Sequence, residues 1–226
     1  MGKNQKIAIL ILIAIGSIAF SNFRGGATFW IELLFNLVYR IPALLLVFTV
    51  HEFSHGMAAY TMGDQTAKMA GRLTLNPLKH LDWIGTLMMM TIGFGWAKPV
   101  PINIQNFKNK KWGLVWVSIA GPLSNIILGA VAFCLWKYID ILYLNDFFGV
   151  LCLYNISIAV FNLIPISPLD GSKVLVAFLP QRAKYTVLQY EQYGVILLLI
   201  LSYTGFFGNV IGPITDMILT GFNLFI

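Results

Sequence analysis

Charged side chains are what this sequence most lacks. Asp, Glu, Lys and Arg make up 11% of its 226 residues, while 58% are hydrophobic. A soluble domain carries about 25% charged residues. Composition therefore excludes an ordinary water-soluble fold and points to a polytopic membrane protein. Cysteine is nearly absent too. Cys134 and Cys152 both lie in apolar segments, without a metal-type spacing. They read as small packing residues, not as a disulfide or a thiolate site. Histidine occurs three times, too few for a histidine-rich membrane di-iron centre. There is no repeat and no low-complexity run, and no loop is long enough to hold a soluble module. Nor do the two halves show the inverted repeat on which many transporters are built. The net charge of +6 does not indicate a nucleic-acid partner, because the basic residues gather in short loops between apolar runs.

What is present is long apolar sequence. Six stretches are long enough, or nearly so, to span a bilayer: about 6–22, 37–62, 113–137, 147–167, 187–204 and 207–225. Lys3 and Lys6 followed by Ile7–Phe20 look like a signal peptide, but no small-x-small cleavage site precedes a polar domain, so an uncleaved helix is expected. A further apolar piece, 83–97, is short for a span. Lys68, Arg72 and Lys79 precede it, and Lys98, Lys108, Lys110 and Lys111 follow. Re-entrance keeps all of them on one side, the cytoplasmic one; a crossing would give seven spans. With re-entrance, the N-terminus lies inside, the acidic loop 138–146 outside, and the loop 168–186 with Lys173, Arg182 and Lys184 inside. Residues 66–76 (TAKMAGRLTLN) suit a β-hairpin-like insert with a free edge for an extended substrate, or else a plain polar loop. The expected fold is thus an all-α polytopic membrane protein of about six transmembrane helices. A short re-entrant or hairpin-like insert follows the second helix. Residues 1–226 form one integral-membrane domain, with a core at about 37–175 and peripheral helices at about 6–22, 187–204 and 207–225.

One pentad stands out in this apolar background: His51-Glu52-Phe53-Ser54-His55, directly after the uncharged run Ile41–Val50. An ionised group at membrane depth costs roughly 2.5 kcal/mol or more, and a bound metal ion is the simplest compensation. On a helix, positions four apart share a face, so both imidazoles can reach one zinc ion. Glu52 can then serve as general base toward a water beside it. A catalytic zinc takes three protein ligands. His80 is the remaining histidine, in a polar, proline-bounded stretch. Asp170 is the better candidate: it closes Asn162–Gly171 (NLIPISPLDG), where Pro165 and Pro168 break an apolar helix and can turn a carboxylate inward. Taken alone, Asp170 reads as a helix-end residue.

Together, HEFSH at 51–55 and NLIPISPLDG at 162–171 resemble the site-2 protease family, the intramembrane zinc metalloproteases. GRLTLNPLKH (71–80), GWAKPVPIN (95–103) and AGPLSN (120–125) are similar to further family segments, so the resemblance covers about 45–175. Asp82-Trp83 departs from it, since members often read Asp-Pro there. The resemblance implies one zinc per chain on His51, His55 and Asp170, with Glu52 as catalytic base and acid. It also implies a place for Asn162 near the substrate or its oxyanion. Without the family, Asn162 is equally a helix-to-helix hydrogen-bonding amide. Pro165 and Pro168 read as shape-setting, and Gly121, Pro122 and Asn125 as packing residues. The implied substrate is a membrane-anchored protein, locally unwound and cut within or just inside its cytoplasmic boundary. The small form without a PDZ domain is similar to prokaryotic members, so a multi-pass protein of a prokaryotic cell membrane is expected. Two other classes remain open: a metal-binding transporter using His51, Glu52, His55 and Asp170, and a catalytically silent membrane binder, against which the intact Glu52 speaks.

Overall fold

The computed structural model describes residues 31, 34–83, 85 and 97–225. The expected helix at 6–22 and nearly all of 83–97 lie outside the described residues. Helix α1 (Ile41–Thr61) continues a π-turn over Asn36–Arg40. Its Pro42 sits in the first turn, where a missing N–H costs no helical hydrogen bond. Helix α2 (Lys110–Tyr138) starts at Asn109, whose side chain accepts from the Trp112 N–H at 3.1 Å. Helix α3 (Leu142–Leu163) follows after only three residues. The Asn145 amide closes that link, donating to the carbonyls of Trp136 (2.7 Å) and Ile139 (3.2 Å). Among the described residues, three helical stretches are long and apolar enough to cross a membrane: Leu37–Thr61, Lys110–Tyr138 and Leu142–Asn162.

The helices pack as a bundle with α2 against both α1 and α3. Small residues let the backbones close in: a Cβ on Gly129 would stand 2.6 Å from the Ile156 side chain on α3. Around this contact Ala43, Val47, Phe133, Leu151 and Ile156 form a buried core. Helix α3 ends earlier than the expected 167. Pro165 bars its predecessor from helical geometry, and Ile164 is extended (φ −64°, ψ 131°). After the bend, Asp170 opens the short helix α4 (Asp170–Phe178), which packs on α2. Helices α5 (Gln181–Tyr203) and α6 (Phe206–Phe225) complete the described chain. Within the stretches expected as spans at 187–204 and 207–225, Ile196–Tyr203 and Phe206–Phe225 meet at a bend of 80°, as in a broken span or a re-entrant loop. Gly205 (φ +73°) makes that bend with a backbone open to glycine at little cost.

The expected hairpin at 66–76 does not form. No strand occurs among the described residues; Thr66–Met69 make a helical turn, followed by irregular chain and a 3-10 turn at Pro77–Lys79. The reason is Asp64. Its fully buried carboxylate accepts from the Thr66 N–H (3.0 Å) and the Thr66 hydroxyl, a local side-chain turn that leads into the helical turn. The same carboxylate accepts from the Asn103 N–H and the Asn106 amide, each at 2.7 Å. It therefore ties residues 103–106 to the end of α1. Burial by itself pushes the Asp64 carboxyl up, but the Thr66, Asn103 and Asn106 donors outweigh it and hold it below the ordinary carboxylate range. A depressed folded pKa means that the stabilisation is present above the unfolded value and is lost as pH falls through the folded one. Asp64→Asn should therefore cost about 1–3 kcal/mol near pH 7. The gap in thermal midpoint between wild type and variant should shrink below about pH 4. A constant gap from pH 7 to pH 3 would deny the charge its role.

Candidate active site

His51 and His55 stand one turn apart on α1, and Asp170 opens α4; all three are buried. Their ligating atoms form a near-equilateral triangle. His51 Nε2 lies 3.1 Å from Asp170 Oδ2, His55 Nε2 lies 3.0 Å from the same oxygen, and the two Nε2 atoms are 3.0 Å apart. His55 Nδ1 sits 2.6 Å from the Val117 carbonyl, to which its N–H donates. A neutral His55 then aims a bare Nε2 at a carboxylate oxygen and at a second imidazole. That arrangement is favourable only with a proton or a metal cation among the three. Two imidazoles and a carboxylate make a donor set that a tetrahedral metal ion accepts with one position left open. Bonds of 2.0–2.1 Å call for about 3.3 Å between ligands, so the triangle needs to open by only a few tenths of an ångström. The residues fit a zinc-like ion.

Asp170 is tuned for the part. Burial pushes its carboxyl up, but the two facing imidazoles and the Lys173 ammonium outweigh this and hold it well below the ordinary carboxylate range. Lys173 Nζ donates to Asp170 Oδ1 at 3.0 Å, leaving Oδ2 to the triangle. Gly171 has a packing reason as well: a Cβ there would overlap the backbone of Leu163 and Ile164 where the chain bends over α4.

Glu52 faces the segment 97–103. Its Oε2 accepts from the Val100 N–H at 2.7 Å. Val100 lies between Pro99 and Pro101, which have no N–H to offer, so its amide is the donor that this stretch presents. The segment is pinned on both sides. Lys98 N–H donates to the His80 carbonyl (2.9 Å), Arg72 Nη2 donates to the Lys98 carbonyl (2.7 Å), and Asn103 N–H goes to Asp64. His80 itself is buried with Nε2 2.8 Å from the Thr74 carbonyl; it belongs to this loop and not to the triangle. Asn162 also stands apart, its amide donating to the Ile158 carbonyl one turn back at 3.0 Å. Cys134 and Cys152 are free thiols.

Sequence reasoning missed what α2 does. Residues 117, 121 and 125 recur every four along one face, and all three meet the histidines. Val117 orients His55. A Cβ on Gly121 would overlap the His55 ring and stand 2.7 Å from His51 Cε1. The Asn125 amide lies 3.1 Å from His51 Nδ1. Gly121 and Asn125 are therefore not packing residues of an inert helix. The AGPLSN run carried the signal in its spacing of four, but only the partner face tells what that spacing serves.

Residues 137–202, which include Asn162 and Asp170, match the model of peptidase family M50. The chain is 40% identical over 188 residues to "Putative zinc metalloprotease YwhC" of Bacillus subtilis, covering 79% of this chain and 86% of that protein. The Rip2 protein of Mycolicibacterium smegmatis, named in the same terms, is 28% identical over 204 residues, 80% of this chain and 75% of its own. Zinc metalloprotease MJ0392 of Methanocaldococcus jannaschii is 29% identical over 179 residues, 78% of this chain and 42% of its own. No solved structure matches the chain significantly. With identity of this order sustained across most of two chains, and the family match lying over the segment that carries Asp170, the chain belongs to the site-2 protease family, peptidase family M50.

Proposed function

We propose that the chain is an intramembrane zinc metalloprotease that cuts a membrane-anchored protein within or near its transmembrane segment, on the cytoplasmic side. One observation carries this: side chains 115 and 119 residues apart in sequence converge to 3.0–3.1 Å as a two-histidine, one-carboxylate set. His51, His55 and Asp170 hold one zinc ion per chain. When bound, zinc supplies Lewis acidity, so that water beside it ionises near pH 7 and the scissile carbonyl is polarised. Glu52 takes the proton of the attacking water and returns it to the leaving amine. The Val100 N–H holds one Glu52 oxygen, which leaves the other for the water. Asn162, at the last turn of α3, offers its carbonyl oxygen to the unwound substrate backbone. Residues 1–226 work as one integral-membrane domain, with the basic residues from Lys68 to Lys111 on the cytoplasmic side.

The test uses purified protein and a single-span membrane substrate. Wild type should hold about one zinc per chain and cleave. Glu52→Gln should keep the zinc and lose about 10²–10⁴-fold in rate. Equal processing by both would remove Glu52 from the chemistry, and zinc-free yet active wild type would end the metalloprotease reading. A cysteine placed at Lys98 should label from the cytoplasmic side; labelling from outside would reverse the orientation.

A further inference from the structure

Asn125 is fully buried on α2, facing α1. Its use differs from that of two other asparagines in the bundle. Asn155 and Asn162 each spend Nδ2 on the carbonyl four residues back, at 2.8 Å and 3.0 Å. Asn125 instead turns its amide to His51, with Nδ2 3.1 Å from Nδ1. In that orientation Oδ1 is buried with no hydrogen-bond partner. It also requires a bare Nδ1, which puts the His51 ring proton on Nε2, the atom that faces Asp170 and His55. A half-turn of the amide exchanges oxygen and nitrogen in nearly the same space. Oδ1 then accepts the Nδ1–H, and Nε2 carries the lone pair. His55 has this arrangement already through the Val117 carbonyl, one position of the same face away from Gly121.

We propose that Asn125 is the positioning residue for His51: through Oδ1 it accepts the Nδ1–H and fixes the tautomer that presents Nε2 to the metal. This rests on His51 being a zinc ligand. Helix α2 thus supplies one acceptor to each imidazole, a backbone carbonyl for His55 and a side-chain carbonyl for His51. Partners of this kind fix ring orientation and raise ligand basicity, and their loss typically weakens metal affinity by about 10–100-fold.

The experiment measures zinc affinity by chelator competition, together with the visible absorption of the cobalt-substituted protein. It compares wild type, Asn125→Leu and Asn125→Asp in the full chain. Asn125→Leu keeps the volume and removes the acceptor; its zinc affinity should fall about 10–100-fold, with an altered cobalt spectrum. Asn125→Asp restores an acceptor and should hold zinc within about threefold of wild type or tighter, with a wild-type-like spectrum. Should Asn125→Leu fail to fold, Asn125→Ala takes its place with the same expectation. Zinc affinity unchanged in the leucine or alanine variant, or lost equally in the aspartate one, overturns the role of Asn125. Wild type that binds no zinc fails earlier and overturns the ligand assignment of His51 itself.

Discussion

Gly121→Ala is expected to remove zinc binding and proteolysis together. The added Cβ would overlap Nε2 and Cε1 of His55 and come within 2.7 Å of His51 Cε1, closer than non-bonded carbons approach. Relief requires one of two movements. Helix α2 can retreat, but it already approaches α3 so closely that a Cβ on Gly129 would stand 2.6 Å from Ile156, and close-packed helices resist such shifts. The imidazoles can rotate away instead, which opens the triangle and breaks the His55–Val117 hydrogen bond. Zinc affinity should fall more than about 100-fold, beyond the usual loss of an orienting partner, and cleavage to about 1% of wild type or less. Helix propensity works the other way, since alanine is favoured over glycine by about 0.8–1.0 kcal/mol. A folded, helical variant without metal is therefore the expected product. Zinc retained within about threefold of wild type would show that the backbone yields and that Gly121 is no cradle.

Asp170→Asn is the second large effect. Asparagine matches aspartate in shape, so α4 and the bend before it need not move. What changes is charge: the triangle loses its only anion, and Lys173, whose side chain is 48% exposed, loses its ion-pair partner. A neutral amide oxygen is a poor zinc ligand beside two imidazoles. Zinc retention after dialysis against a chelator should drop by about 10²-fold or more, more than for an outer partner, with cleavage falling in parallel. Full retention would send the third-ligand role elsewhere. His80 is a weak alternative, being buried against Thr74 in the loop that binds Lys98.

The pentad and Asp170 were legible because each carries a local pattern. Histidines four apart on an apolar helix and an acid after two prolines are both visible in letters. The helices were legible from apolar length, with errors where a polar residue folds back on its own chain. Asn145 and Asp146 made α3 look as if it began near 147, yet Asn145 bonds the preceding link and the helix starts at Leu142. The hairpin expected at 66–76 rested on a weak alternation, and one buried carboxylate, Asp64, decided for a helical turn. Nothing in the letters reveals the Val117 carbonyl, because every residue has one. The same holds for the Val100 N–H and for Gly121, whose worth depends on which face of α2 meets α1.

Helix α2 spans 29 residues, about 43 Å at 1.5 Å per residue, against a hydrocarbon core of about 30 Å. It is therefore longer than the layer it crosses, and excess length is taken up by tilt or by protrusion. This is also the helix that contacts both imidazoles, from Val117 and Asn125, two turns apart on a single face. A bilayer thickness that changed the tilt of α2 against α1 would therefore act on the Val117 and Asn125 contacts to the imidazoles, at a distance from the lipid itself.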